Sequence, residues 1–242
     1  MTKHNYKIMV CISENSREKE LQYIDLLYSH RVLGIVVCSH IGETMEHLDS
    51  NCPLISFERE IAENIPAVLC DNYQGGILAA NRLYDAGCRN IAIFNPPTKE
   101  NIPAYSREKA FMKCCEDKKI SGRVVYTDRL APLSEEFGNN ILELLKKNSD
   151  LDGIFATSDV MAANIIRACK KMGKRVPEDI SIVGFDDTWI STLTYPSITT
   201  IHQPVQEMCE YAIEAIVKKV KSEKVPSQVV FPVELIDRES TK

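Results

Sequence analysis

The sequence predicts an α/β fold with parallel sheets. Three features predict it: short apolar runs alternate with amphipathic stretches almost to the end, most runs are continuously apolar, and the stretches between them are long enough for crossover helices. A continuous apolar run marks a strand buried on both faces, as in a parallel sheet. Strands alternating with helices of this length build right-handed βαβ units.

In chain order the expected strands are KIMVCI (7–12), GIVVC (34–38), PLISF (53–57), AVLCD (67–71), NIAIF (90–94), RVVYT (123–127), GIFAT (153–157), ISIVGF (180–185), ITTIH (198–202) and QVVFPVEL (228–235). Helical spacing links Leu21, Ile24, Leu27 and Tyr28, then Phe137, Ile141, Leu144 and Leu145, then Ala162, Ile165, Ile166, Cys169 and Met172. The clearest helix carries Val205, Met208, Cys209, Ala212, Ile213, Ile216 and Val220, with glutamates and lysines opposite. The strands fill one large sheet or two smaller ones. The Pro-rich polar segment 95–106, NPPTKENIPAYS, is the expected crossing between lobes.

A chain of 242 residues makes one two-lobed unit or two small domains. With 29 Lys and Arg against 34 Asp and Glu, its net charge of -5 excludes a protein held on nucleic acid by charge alone. No apolar run approaches the roughly 18 residues of a membrane span, and the start MTKHNYK lacks the features of a signal peptide, so no membrane association and a cytoplasmic location are expected. The nine cysteines are odd in number and read as reduced thiols. Cys11, Cys38 and Cys70 are expected buried in strands, and Cys169 and Cys209 on apolar helix faces. With no Cys-x-x-Cys pair, scattered His, no G-x-G-x-x-G, no phosphate-binding G-x-x-x-x-G-K-[ST] and no G-x-S-x-G, the sequence implies no metal, no cofactor and no enzyme.

In open parallel sheets ligands bind outside the carboxyl ends of the strands. Those ends are polar here: Asp71-Asn72, Asn95, Ser158-Asp159, Asp186-Asp187 and His202-Gln203 each follow an apolar run. Carboxylates and amides suit a ligand rich in hydroxyls, because a carboxylate accepts from vicinal hydroxyls and an amide both donates and accepts. A sugar or nucleoside fits that description. Helix capping competes as the role of Asp71, Ser158 and Asp159. Gln203, before Pro204, also reads as a boundary residue, and Trp189 either stacks on a sugar ring or anchors the fold.

Several stretches carry a family resemblance: REKELQYIDLLYSHRVLGIVV, CDNYQGGILAANRLYDAGCRNIAIF, SREKAF, ATSDVMAANIIRACKKMGKRVPEDISIVGFDD, YPSITTIHQP and VELIDREST, in this order. The chain thereby resembles, over essentially its whole length, the effector-binding region of LacI/GalR-family transcriptional regulators, relatives of periplasmic sugar-binding proteins. The resemblance implies two Rossmann-like lobes with a type I periplasmic-binding-protein-like arrangement, effector in a cleft between them, and a homodimer. It puts residues 1–96 and 204–231 in the amino-terminal lobe and residues 97–203 and 232–242 in the carboxy-terminal lobe. It also assigns Asp71, Arg107, Ser158 and Asp186 to the effector, with Gln203 at a crossing. Ser158 replaces the family's usual Asn, and Ala110 the Gly after its Arg.

The sequence starts at what resembles the family's second strand, KIMVCI, without the helix-turn-helix and the first strand-helix unit. Operator DNA is therefore expected to be read only through a helix-turn-helix absent from this chain. The implied function is sugar sensing for a repressor, with a phosphocarrier-type corepressor as a further expected partner. A solute-binding protein for sugar uptake and an intracellular enzyme using Asp71 or Asp186 are the alternatives. On sequence grounds Asp186→Ala and Arg107→Ala should each abolish a ligand-induced rise in melting temperature and leave the unliganded protein nearly as stable; thermal-shift measurement of both variants checks this.

Overall fold

The computed structural model describes residues 6–14, 16–38, 52–97 and 102–242, and it falls into two units. The first comprises Met1–Cys70 and Pro204–Phe231; the second comprises Asp71–Gln203 and Pro232–Lys242. The first division thus follows Cys70, where the sequence reading put the lobe boundary after residue 96, in the 95–106 segment. The reason is pairing: β4 (Asn90–Asn95) hydrogen-bonds to β5 (Ser121–Tyr126) on one side and β6 (Gly153–Ala156) on the other, which commits residues 71–96 to the second unit. The described part of the 95–106 segment only joins β4 to the next helix.

The first unit holds α1 (Arg17–Ser29), β1 (Ile35–Val37), β2 (Leu54–Phe57), β3 (Ala67–Cys70), α7 (Val205–Val220) and β9 (Gln228–Phe231). Its sheet is parallel, in the order β1-β2-β3-β9. Ser16 caps α1 by accepting from the Lys19 N–H. The apolar face of α7 buries Met208, Ala212, Ala215 and Ile216, and this unit's sheet buries Leu54, Ile55, Val68 and Leu69. Residues 7–12, expected as a strand, form none; Ile8, Val10 and Ile12 are exposed. A strand exists only where a neighbour takes its backbone hydrogen bonds, and this run has none among the described residues.

The second unit holds α2 (Asn72–Asp85), β4, α3 (Tyr105–Lys118), β5, α4 (Glu135–Lys147), β6, α5 (Asp159–Lys171), β7 (Ser181–Asp186), the short α6 (Ile190–Leu193), β8 (Thr199–His202) and β10 (Glu234–Ile236). Its sheet runs β10-β8-β7-β6-β4-β5, with only β10 antiparallel. The run QVVFPVEL, expected as one strand, breaks at Pro232, so that β9 serves the first unit and β10 the second. Proline contributes no N–H to a ladder and marks the point where the chain changes sheets.

Both faces of this sheet are covered. Ala92, Phe94, Ile154, Ala156 and Ile182 form one core cluster with Phe137, Ile141 and Leu145 of α4 and with Met161, Ala162 and Ile165 of α5. A second set stacks aromatic rings, Phe111 on Phe155 at 5.8 Å between centroids and Phe155 against Phe185 at 6.4 Å. That double coverage is why the strands read as unbroken apolar runs.

Of the cysteines, Cys70 and Cys169 are buried as expected, along with Cys88 and Cys115; Cys11 is half-buried, and Cys38 and Cys209 are exposed. Cys38 lies one residue beyond β1, and Cys209 faces away from the buried stripe of α7. All nine are free thiols. Burial pushes the Cys115 thiol up to about 12 and the Cys169 thiol to about 11, which keeps both protonated and inert.

Helices α2 and α3 meet closely at Gly76. A Cβ there would stand 2.3 Å from the Arg107 carbonyl oxygen and 2.9 Å from the Ala110 Cβ. Ala110, which replaces the family's Gly, is therefore accommodated by a glycine on the facing helix. Gly76→Ala should force the helices apart and cost about 1–3 kcal/mol, read as a lower urea midpoint with an unchanged slope.

Candidate functional site

Because β4 to β8 are mutually parallel, their carboxyl ends share one edge, and helices returning antiparallel to them start there. The expected residues of the second unit gather on this edge. Asp71 is the N-cap of α2 and accepts from the Gln74 N–H at 2.8 Å. Ser158 is the N-cap of α5 and accepts from the Met161 N–H at 3.2 Å. Capping is a demonstrated role of both, and each stays partly exposed with further acceptor capacity.

Arg107, in the first turn of α3, is only 7% exposed. Its Nε donates to Asn72 Oδ1 at 2.5 Å, its Nη1 to the Thr157 carbonyl at 3.2 Å, and its guanidinium carbon lies 3.4 Å from the Phe185 ring centroid. No carboxylate pairs with it among the described residues. A guanidinium held by neutral acceptors and an aromatic face keeps its charge and orientation. Next to it, the buried Glu108 carboxylate accepts from Asn95 Nδ2 at 3.1 Å and from the Tyr126 hydroxyl at 3.0 Å. Burial, followed by the Glu108 hydrogen bond and charge, raises the Tyr126 phenol above its ordinary range. Asn95 Oδ1 accepts from the Thr157 hydroxyl at 3.3 Å, so one network ties α3 to the ends of β4, β5 and β6.

Asp186 ends β7 with φ 102° and Asp187 follows with φ 57°, two successive left-handed residues. For Asp186 this is a costly conformation, of the kind found where surroundings impose it. The surroundings are visible. Gln203 Nε2 donates to Asp186 Oδ1 at 2.8 Å, which makes Gln203 a buried partner in the site as well as a boundary residue. Asp187 accepts from Arg238 Nη2 at 2.6 Å and meets His202 Nδ1 at 2.9 Å. Asp159, 1% exposed, accepts from the Thr188 N–H at 2.6 Å, the Thr188 hydroxyl at 3.0 Å and the Thr200 hydroxyl at 2.6 Å. Asp159 therefore clamps the loop after β7, while Ser158 does the capping.

Trp189, three positions beyond Asp186, is 70% exposed and stacks on no ring among the described residues, which speaks against the role of a buried anchor. Sequence reasoning missed the Asp187–Arg238 pair, because 51 residues separate them and neither motif points to the other. It also missed Thr157 and Glu108, whose roles come from where β6 ends and α3 begins. No three His, Cys, Asp or Glu side chains converge as a metal site among the described residues. What the edge offers is a guanidinium, carboxylates, an amide and hydroxyls, a mixed donor and acceptor array. Arg107→Ala can no longer be expected to spare the unliganded fold, since it strips a buried stack and two hydrogen bonds.

Comparison with known proteins identifies the family to which this fold belongs. Residues 80–241 match the family model described as a periplasmic binding protein-like domain. The chain belongs to the LacI/GalR family of transcriptional regulators, in its periplasmic-binding-protein-like region. It is 31% identical to the ribose operon repressor of Halalkalibacterium halodurans over 99% of this chain and 71% of that protein. It is 29% identical to the sucrose operon repressor of Streptococcus mutans, over 98% of this chain and 72% of that one. Among solved structures, a periplasmic binding protein/LacI transcriptional regulator from Alkaliphilus metalliredigens, complexed with D-xylulofuranose, matches with TM-score 0.86 and 32% identity over 100% of this chain and 90% of that one.

Burial acts to raise the Asp187 carboxyl, but the bonds and charges of Arg238 and His202 outweigh it and hold it below its ordinary value. A depressed carboxyl stabilises the fold above its unfolded value of about 3.9, and that stability is lost as pH falls through the folded value. Asp159 has the opposite sign: burial raises it, so its contribution is lost as pH rises. In urea melts between about pH 5 and pH 3, Asp187→Asn should be less stable at neutral pH yet lose stability less steeply on acidification than the unaltered protein.

Proposed function

We propose that this chain is the sugar-sensing region of a LacI-type repressor, with the effector held on the carboxyl edge of the second unit by Asp71, Arg107, Ser158, Asp186 and Gln203. The observation that carries the reading is the Arg107 guanidinium, buried and paired among the described residues with neutral groups, on the same edge as the strained Asp186. A hydroxylated ligand matches such an array, donating to the carboxylates and accepting from the guanidinium. Relatives support the sugar class. Besides the xylulofuranose complex, a LacI family regulator from Enterococcus faecium, 27% identical, was solved with bound ribose, and the regulator CelR, 25% identical, with cellobiose.

In this reading the effector binds one conformational state of the regulator more tightly than another and shifts the balance between them. The regulator is a cytoplasmic homodimer, and operator DNA is contacted by a helix-turn-helix outside this chain. Kinship with operon repressors favours regulation over uptake. In this reading the protein binds its ligand without turning it over: the hydroxyls next to carboxylates after β7 are already engaged, Thr188 by Asp159 and the fully buried Ser191 by Asp187, Arg238 and the Thr188 carbonyl. Among the described residues no helix is long and apolar enough to cross a membrane.

A thermal-shift screen over pentoses, hexoses, disaccharides and their phosphates tests the reading. A sugar at a hundred times its dissociation constant should stabilise the protein by about 2.7 kcal/mol. Asp186→Asn, which keeps the side-chain shape, should weaken that sugar at least about tenfold, roughly 1.4 kcal/mol. If no sugar class raises the melting temperature, or if any hit is chemically converted, the reading fails.

A further inference from the structure

A buried arginine at a ligand edge commonly clamps a phosphoryl group, since its planar fork matches phosphate oxygens. A sugar is either uncharged or phosphorylated, so whether Arg107 takes that role decides the class of effector. Its hydrogen bonds argue against it. The Nε–H is spent on Asn72 Oδ1, which removes the side fork of Nε with Nη2, and Nη1 already donates to the Thr157 carbonyl. What remains are Nη hydrogens suited to hydroxyl oxygens.

The surrounding charges argue the same way. Glu108 follows Arg107 directly and is buried; Asn95 and the Tyr126 hydroxyl donate to its carboxylate, and no cation pairs with it among the described residues. Asp71 precedes the Asn72 that holds Arg107 Nε, and Asp186 follows the Phe185 ring on which the guanidinium rests. Three carboxylates thus stand beside the guanidinium or beside a residue that holds it. Among the described residues between each strand from β4 to β8 and the helix after it there is no lysine. Arg238 and His202 are engaged by Asp187, and Arg129, next to Asp128 in the chain, donates to the Pro97 carbonyl.

Helix starts are the other common seat for a phosphate, and here they are taken. Asp71 accepts from the Gln74 N–H at the start of α2, Ser134 from the Phe137 N–H at the start of α4, and Ser158 from the Met161 N–H at the start of α5. At α3 the N–H groups of Tyr105, Ser106 and Arg107 go to the carbonyls of Ile102, Pro103 and Ala104. At α2 the chain's own carboxylate occupies the place an anion would take.

We propose that this edge selects an uncharged sugar over its phosphate, and that Glu108 sets the selectivity through its charge, without touching the ligand. The proposal rests on the sugar-sensing reading above and narrows its effector class. A buried carboxylate is weakly screened by water and salt, so its field reaches across the edge. A phosphoryl group meets that field as a like charge, and a hydroxyl does not. Because a tyrosine hydroxyl accepts as well as donates, Glu108→Gln retains contacts to Asn95 and Tyr126 and removes only the charge.

Isothermal titration of the chain with matched pairs tests this: ribose and ribose 5-phosphate, glucose and glucose 6-phosphate, sucrose and sucrose 6-phosphate, with thermal melts showing that each variant is folded. In a pair that binds, the uncharged member should bind at least about a hundredfold more tightly than its phosphate. Glu108→Gln should shrink that ratio by about tenfold, whereas Glu108→Asp, which keeps the charge, should preserve it. A merely structural role would weaken both members alike and leave the ratio in place. Asp71→Asn, which still caps α2, should shrink the ratio too and serves as the test if the Glu108 variants do not fold. A phosphate that binds as tightly as its parent sugar, or a ratio that removal of the charge leaves unchanged, overturns the proposal while the sugar-sensing reading stands. A chain that binds no member of any pair sinks both.

Discussion

The second unit is organised by one constraint: both faces of its six-stranded sheet are covered by apolar helices, so polar chemistry is confined to the strand ends. Phe94, Phe155 and Phe185 occupy positions where no polar group could be satisfied. Their strands then deliver Asn95, Thr157 and Asp186 to one edge. The Phe185 ring does more than fill space, because it is the platform for the Arg107 guanidinium. Core and site therefore share a residue, and packing errors on the α2–α3 side, such as a side chain at Gly76, reach the site through the Arg107 backbone.

The electrostatics of the edge divide into two kinds. Asp187 with Arg238, and Asp159 with Thr188 and Thr200, are closed systems whose partners satisfy them; they hold the β7 loop in its left-handed conformation. Among the described residues Arg107 and Glu108 are held by neutral groups, through Asn72, Thr157, Asn95 and Tyr126. A closed ion pair has little reason to engage a ligand. A charge oriented by neutral partners keeps most of its interaction strength for one, at a cost in folding stability that the well-packed sheet can carry.

The segment after β7 has two parts. At the end of β7 the chain passes Asp186, Asp187 and Thr188, each hydrogen-bonded within the unit, and then exposes Trp189, Leu193 and Tyr195 in α6 and the residues flanking it. Trp189, three positions after Asp186, is 70% exposed and so is no buried anchor of the fold.

The sequence by itself determined the strand-helix alternation, the parallel sheets and the polar strand ends, because apolar period and run length are local properties that burial on two faces imposes directly. Asp71, Ser158, Asp186 and Gln203 were legible for the same reason, each following an apolar run. Only the tertiary structure decided which partner each element takes: β4 in the second unit, the chain changing sheets at Pro232, no strand at residues 7–12, and Arg238 reaching Asp187 across the chain. It also decided that Ser158 caps α5 while Asp159 turns inward, although both are good capping residues. Pairing and side-chain direction depend on neighbours distant in sequence, and local pattern carries no information about them.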